Sequence, residues 1–161
     1  MSAADPIWDF IQTEAAQLAS EEPLLADFFQ HAVLQHNSLE AVIGHVLAET
    51  FANSSIANND IQSVIAEALK DEPQIGVSIR RDIEAAFQRD AACQYYLTPL
   101  IYFKGFQALQ LYRISHWLWT NKRFSFALVL QNNISERFAV DIHPAARLGD
   151  GIMIDHATGL V

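Results

Sequence analysis

Apolar residues return every three or four positions through most of this chain, the spacing that gathers them on one face of a helix. Ile7, Trp8, Ile11, Ala15 and Leu18 form the first such set, just behind Asp5 and Pro6. Asp accepts from the orphan N–H groups of a helix start, and Pro at the first helical position gives up a donor that had no partner. A second helix is expected from Ser20, where Glu21 and Glu22 suit the positive end of the helix dipole and Pro23 is tolerated. Leu24, Leu25, Phe28, Phe29, Ala32 and Val33 continue the helical period there. Ser38 caps a third segment carrying Leu39, Val42, Ile43, Val46 and Leu47. After the polar stretch NSSIANND, a fourth carries Ile61, Val64, Ile65, Ala68 and Leu69.

Ile79, Ile83 and Phe87 predict a fifth helix, ending near QRDAAC. Thr98 before Pro99 then opens one long segment, PLIYFKGFQALQLYRISHWLWTNK, whose apolar residues cover most of the helix circumference. Such a helix is buried against other helices or another subunit. A last helix over roughly 124–137 presents Phe126, Val129, Leu130 and Ile134. With sparse Gly and no sustained alternation, the first 138 or so residues read as all-α.

From Val140 the period changes. Ile142, Leu148, Ile154 and Leu160 are six apart, which suits neither a helix nor a single long strand. Six residues is the repeat of a parallel β-helix, with one aliphatic side chain per hexapeptide turned inward. Ala146, Ile152 and Thr158, four places after each aliphatic, suit its corners.

Composition sets outer bounds. Of 161 residues 51% are hydrophobic and 18% charged, enough apolar material for a sizeable core. Ten Lys and Arg against 19 Asp and Glu leave a net charge of −9 with no basic run, which argues against nucleic acid as a partner. The most apolar stretch, 99–119, is broken by Lys104, Gln107, Gln110, Arg113 and His116, so no membrane span is expected. The N-terminus lacks the basic and apolar regions of a secretory signal, and the single Cys93 agrees with a reducing compartment, so a cytoplasmic location is expected.

Two tempting readings are weak. His31, His36, His45 and His116 lack the i, i+4 spacing that pairs imidazoles on one helical face, so no metal site is expected. Cys93 has no accompanying motif of a nucleophile and reads as a packed or loop thiol. Trp8, Trp117, Trp119, Phe103, Phe106 and Tyr112 read as core or subunit interface.

The stretches TPLIYFKGFQALQLYRISHWLW and DIHPAARLGDGIMIDHATGLV closely resemble the bacterial serine O-acetyltransferases, which pass acetyl from acetyl-CoA to the serine hydroxyl in cysteine biosynthesis. The resemblance runs through the whole chain. It implies a mainly α fold: an all-α oligomerisation domain over 1–139, then over 140–161 the first coil or coils of a left-handed parallel β-helix. It also implies a dimer of trimers, acetyl-CoA as co-substrate without a permanently bound cofactor or metal, and L-cysteine as feedback inhibitor in the serine site.

Matched position by position, His156 in DHATG is the family's catalytic base, a task imidazole suits because its pKa lies near working pH. Asp141 in VDIHP is the carboxylate that orients it; fifteen residues earlier, it would lie on the neighbouring eighteen-residue coil and fix the imidazole tautomer. Asp155 and Asp90 are the substrate-binding carboxylates, Asp90 meeting the amino group from the helical domain. His143, beside Pro144, reads as structural. One departure is Ala91, where the family has Pro after the Asp, which implies a less rigid loop. The resemblance puts the further coils, a second active-site His with its Arg, the acetyl-CoA groove and the tail that contacts cysteine synthase beyond Val161. These 161 residues are therefore expected to hold half a site and to be inactive alone. The competing expectations are a non-catalytic helical oligomerisation module and a hexapeptide acetyltransferase acting on another acceptor.

Overall fold

A computed structural model describes residues 5–51 and 56–161, so the first four residues and 52–55, which include the start of the NSSIANND stretch, lie outside the described residues. Asp5 caps α1 (Pro6–Glu21) as its sequence predicts, accepting from the Trp8 N–H at 3.4 Å. The same carboxylate is gripped by Arg80, whose Nη2 donates to it at 2.5 Å and whose Nε donates to both oxygens. Arg80 Nη1 reaches Glu40 at 2.7 Å, so one guanidinium ties three helical segments.

The break after α1 differs from the expectation. Ser20 lies inside α1, and Glu22, not Ser20, caps the next segment, accepting from the Leu24 N–H before a 3-10 turn over Pro23–Leu25. A short α2 (Ala26–Phe29) runs into a π-helical stretch, Gln30–Leu34. Phe29, Ala32 and Val33 are buried, whereas Leu24, Leu25 and Phe28, all ahead of the widened turn, stand in solvent, Leu24 at 91% exposure.

Ser38 caps α3 (Leu39–Glu49) through the Ala41 N–H at 3.2 Å. α4 (Asn58–Asp71) buries all five of its predicted apolar residues. α5 (Gln74–Arg89) ends at Asp90, as expected.

The single long helix expected after Thr98 is two. α6 (Leu97–Tyr102) and α7 (Lys104–Thr120) are separated by Phe103, which takes an extended backbone with ψ 103°. The carbonyls of Leu100 and Ile101, near the end of α6, accept from the Gln107 amide at 3.0 and 3.1 Å. α7 is buried on nearly every side, as its all-round apolar pattern predicts. α8 (Phe124–Phe138) packs along α7 and buries Ala127, Leu130, Ile134 and Phe138; Val129 instead faces solvent.

Ala139, in a left-handed conformation, ends the helical region, and Val140 beyond it is fully buried in the helical core. Val140 and Leu160 then pair as one parallel bridge. Asp141 N–H donates to Leu160 O and Gly159 N–H to Ala139 O, both at 2.9 Å, so residues 140–160 close one loop back onto their own start. No other strand pairing occurs among the described residues. Ile142 and Ile154 pack against the helical core, as two of the four hexapeptide aliphatics, while Leu148 and Leu160 face outward. Among the described residues no helix is long and apolar enough to cross a membrane.

Candidate active site

With little ladder of its own, the loop over 140–160 is held by side chains from α5 and α7. Asp82, fully buried on α5, accepts from Ile152 N–H through Oδ1 at 2.9 Å. Its Oδ2 accepts from Arg113 Nη2 at 2.6 Å, from Arg113 Nε at 3.0 Å and from Gln110 Nε2 at 3.0 Å. Arg113 also donates to Gly149 O, Arg89 to Gly151 O, and Arg81 pairs with Asp150 at 2.7 Å. Further along, Tyr112 donates to Ala146 O, and His116 Nδ1 lies 2.7 Å from Pro144 O.

Gly105 permits the closest approach. A Cβ built there would lie 2.2 Å from Ile154 O and 3.1 Å from the Ala157 methyl, so only glycine lets the first turn of α7 seat this loop. Next to it Lys104 Nζ donates to Thr158 Oγ1 at 2.5 Å.

The seated segment presents Asp155 and His156 on consecutive tight turns. His156 and Ala157 both take left-handed conformations, φ 51° and 60°, which non-glycine residues adopt at a cost when surrounding contacts hold them there. Ala157 N–H donates to Asp155 O at 2.6 Å, and Thr158 N–H to His156 O at 2.8 Å. Buried Ala157 anchors the turn, and the His156 ring stands out at 93% exposure with Nε2 3.6 Å from Asp155 Oδ1.

Asp90 arrives from the helical side. Its carboxylate accepts from Ala92 N–H at 2.8 Å and its carbonyl from Cys93 N–H at 3.0 Å, so the turn is pinned by Asp90 itself although Ala91 replaces a ring. Glu14 steadies the downstream end of this loop, accepting from the Tyr96 and Leu97 N–H groups, and Tyr96 stacks between Phe10 and Phe87. Cys93 is buried, its thiol pushed up by burial and by the neighbouring Asp90 charge, which leaves it inert.

Asp90, Asp155 and His156 line one cleft of about 180 Å³ with Phe103, Lys104 and Gly105. Its size suits an amino acid better than a nucleotide-bearing co-substrate. Asp141 stands apart from it: its carboxylate accepts from Gln131 Nε2 at 2.7 Å, and no hydrogen bond or ion pair joins it to His156 among the described residues. Three of the four residues singled out in the sequence therefore meet. Lys104 and Gly105 were missed as site residues, although an isolated Gly in an apolar helical run signals close packing. Among the described residues no cluster of three or more His, Cys, Asp or Glu is arranged to hold a metal ion.

This arrangement defines a helical platform that seats an acid and histidine turn at its C-terminal edge. The family model "Serine acetyltransferase, N-terminal" matches residues 7–111, and the chain belongs to that family. It is 46% identical over 155 residues to the serine acetyltransferase of Haemophilus influenzae, covering 96% of this chain and 58% of that one. Solved structures of serine acetyltransferase in complex with CoA and in complex with cysteine superpose with a TM-score of 0.93 each, at 46% identity. They cover 96% of this chain and 66% and 64% of theirs. The chain thus spans less than three fifths of the Haemophilus influenzae enzyme's length.

Proposed function

We propose that the protein is a serine O-acetyltransferase, moving acetyl from acetyl-CoA to L-serine. The observation that carries this is the meeting of Asp90, Asp155 and His156 in one amino-acid-sized cleft. Asp90 and Asp155 pair with the serine ammonium, a charge-assisted contact that also orients the hydroxyl. The His156 imidazole takes the hydroxyl proton as serine Oγ attacks the thioester carbonyl. The tetrahedral intermediate then collapses, the C–S bond breaks, and the proton passes to the departing CoA thiolate. Asp141, of which Gln131 engages only Oδ1, is the carboxylate that orients the imidazole in this reading. The relatives solved in complex with CoA and with cysteine support acetyl-CoA as co-substrate and binding of cysteine; feedback inhibition by cysteine in the serine site belongs to the same proposal. A cytoplasmic dimer of trimers, with cysteine synthase as a partner of the whole protein, completes this reading.

A second reading is favoured by the 93% exposure of His156 and the Gln131 bond to Asp141: these residues alone form an assembly module without turnover. Thiol release from acetyl-CoA in the presence of L-serine, measured on the whole gene product and on residues 1–161, separates the two. Activity in the whole product that falls on the order of 100- to 10,000-fold in His156→Ala supports the enzyme reading. Unchanged turnover in that variant rejects the role of His156, and turnover by residues 1–161 rejects the assembly-module reading.

A further inference from the structure

A cavity of about 620 Å³ lies away from the Asp155 cleft, between α2, the π-helical stretch, the end of α3, α6, α7 and α8. Its volume falls in the range of small-molecule sites. Phe28, Ala32, Val46 and Ile101 supply apolar wall, and His31, His45 and Arg137 bring nitrogen donors to the same space.

Those donors are unspent. Arg137 and His45 make no hydrogen bond or ion pair among the described residues, and His31 uses only Nδ1, 2.6 Å from Asp27 O. The ring of His45 is held against His36, centroids 4.9 Å apart. Of the other polar groups of the lining, Thr50 donates to Leu47 O and Gln107 donates to Leu100 O and Ile101 O, while Glu49 accepts from Asn58 through Oε1 and is the one carboxylate against the two imidazoles and the guanidinium. An apolar wall with free guanidinium and imidazole nitrogens selects an amphipathic anion, because a carboxylate accepts from both donor types while its body replaces water along Phe28 and Val46. We propose that this cavity is a second small-molecule site of the protein, for a carboxylate on an apolar body.

Calorimetric titration of the whole protein with 3-phenylpropionate and with its neutral amide, 3-phenylpropanamide, tests this without relying on turnover. The acid should bind more tightly than the amide by on the order of tenfold or more. Arg137→Ala should remove that preference, and Val46→Trp, which fills the cavity, should abolish binding of both. Folding of each variant is checked by circular dichroism; should Val46→Trp not fold, Val46→Phe takes its place. No heat at millimolar acid, equal binding of acid and amide, an unaltered preference in Arg137→Ala, or displacement by L-serine would each overturn the proposal.

Discussion

Arg113 and Asp82 form an ion pair at 2.6 Å with side-chain exposures of 8% and 0%, and through it α7 and α5 together hold Gly149 and Ile152. A buried pair of this kind contributes little against a well-packed apolar replacement, but removing one partner strands a charge in the core. Asp82→Ala and Arg113→Met should each cost about 3 kcal/mol or more. In a domain of this size that lowers Tm by roughly 6–12 °C in calorimetry. The double variant should lose much less than the two singles added together.

Gly105→Ala is expected to separate the two parts of the structure. Alanine is the better helix former, by about 1 kcal/mol, so a helix in isolation would gain. Here its methyl meets Ile154 O, a backbone atom that cannot swing away. Overpacking of about 1–3 kcal/mol outweighs the helical gain. Hydrogen exchange should quicken at the Asp141 and Gly159 amides while helical circular dichroism is unchanged.

Acid stability has an identifiable contributor at Asp5. Burial alone would raise its carboxyl, but the Arg80 hydrogen bonds and charge, with the Trp8 and Ile7 N–H groups, hold it below the usual carboxylate range. A depressed folded-state pKa gives stability that is complete above the unfolded value, roughly 3.9, and is lost as pH falls through the folded value. Asp5→Asn should therefore lower stability at pH 7 and flatten the decline below about pH 4, read by urea melts across that window.

Asp90 serves both its own turn and the cleft, so its substitutions should divide by chemistry. Asp90→Asn keeps an oxygen for Ala92 N–H and loses the charge. Steady-state kinetics of the whole protein should then show KM for serine raised on the order of tenfold or more, with melting temperature nearly unchanged. An unaltered KM would remove Asp90 from substrate binding.

Much of this was legible from local chemistry. Asp5 with Pro6, Ser38 and the five apolar residues of α4 behave as their spacing dictates, because caps and single-face burial are local properties. Ser20 misled because a capping residue is indistinguishable by type from one inside a helix, and the Glu22 side chain took the task. The split at Phe103 was hidden because an aromatic residue in an apolar run carries no breaker signal, and the Gln107 amide that takes up the α6 carbonyls comes from the next helix. Asp155 and His156 stand together because they are neighbours in the chain, whereas the Gln131 bond to Asp141 depends on where α8 lies and carries no local signature.

Every side chain that seats residues 149–158 comes earlier in the chain than the segment it holds. During synthesis the helices can fold first, so Asp82, Arg113 and Gly105 are in place before Ile152 and Ile154 emerge. The first coil is then laid on a finished foundation, and any later coil needs only the edge beneath it. The difficult step of starting a repeat stack is thus assigned to helices built from local contacts.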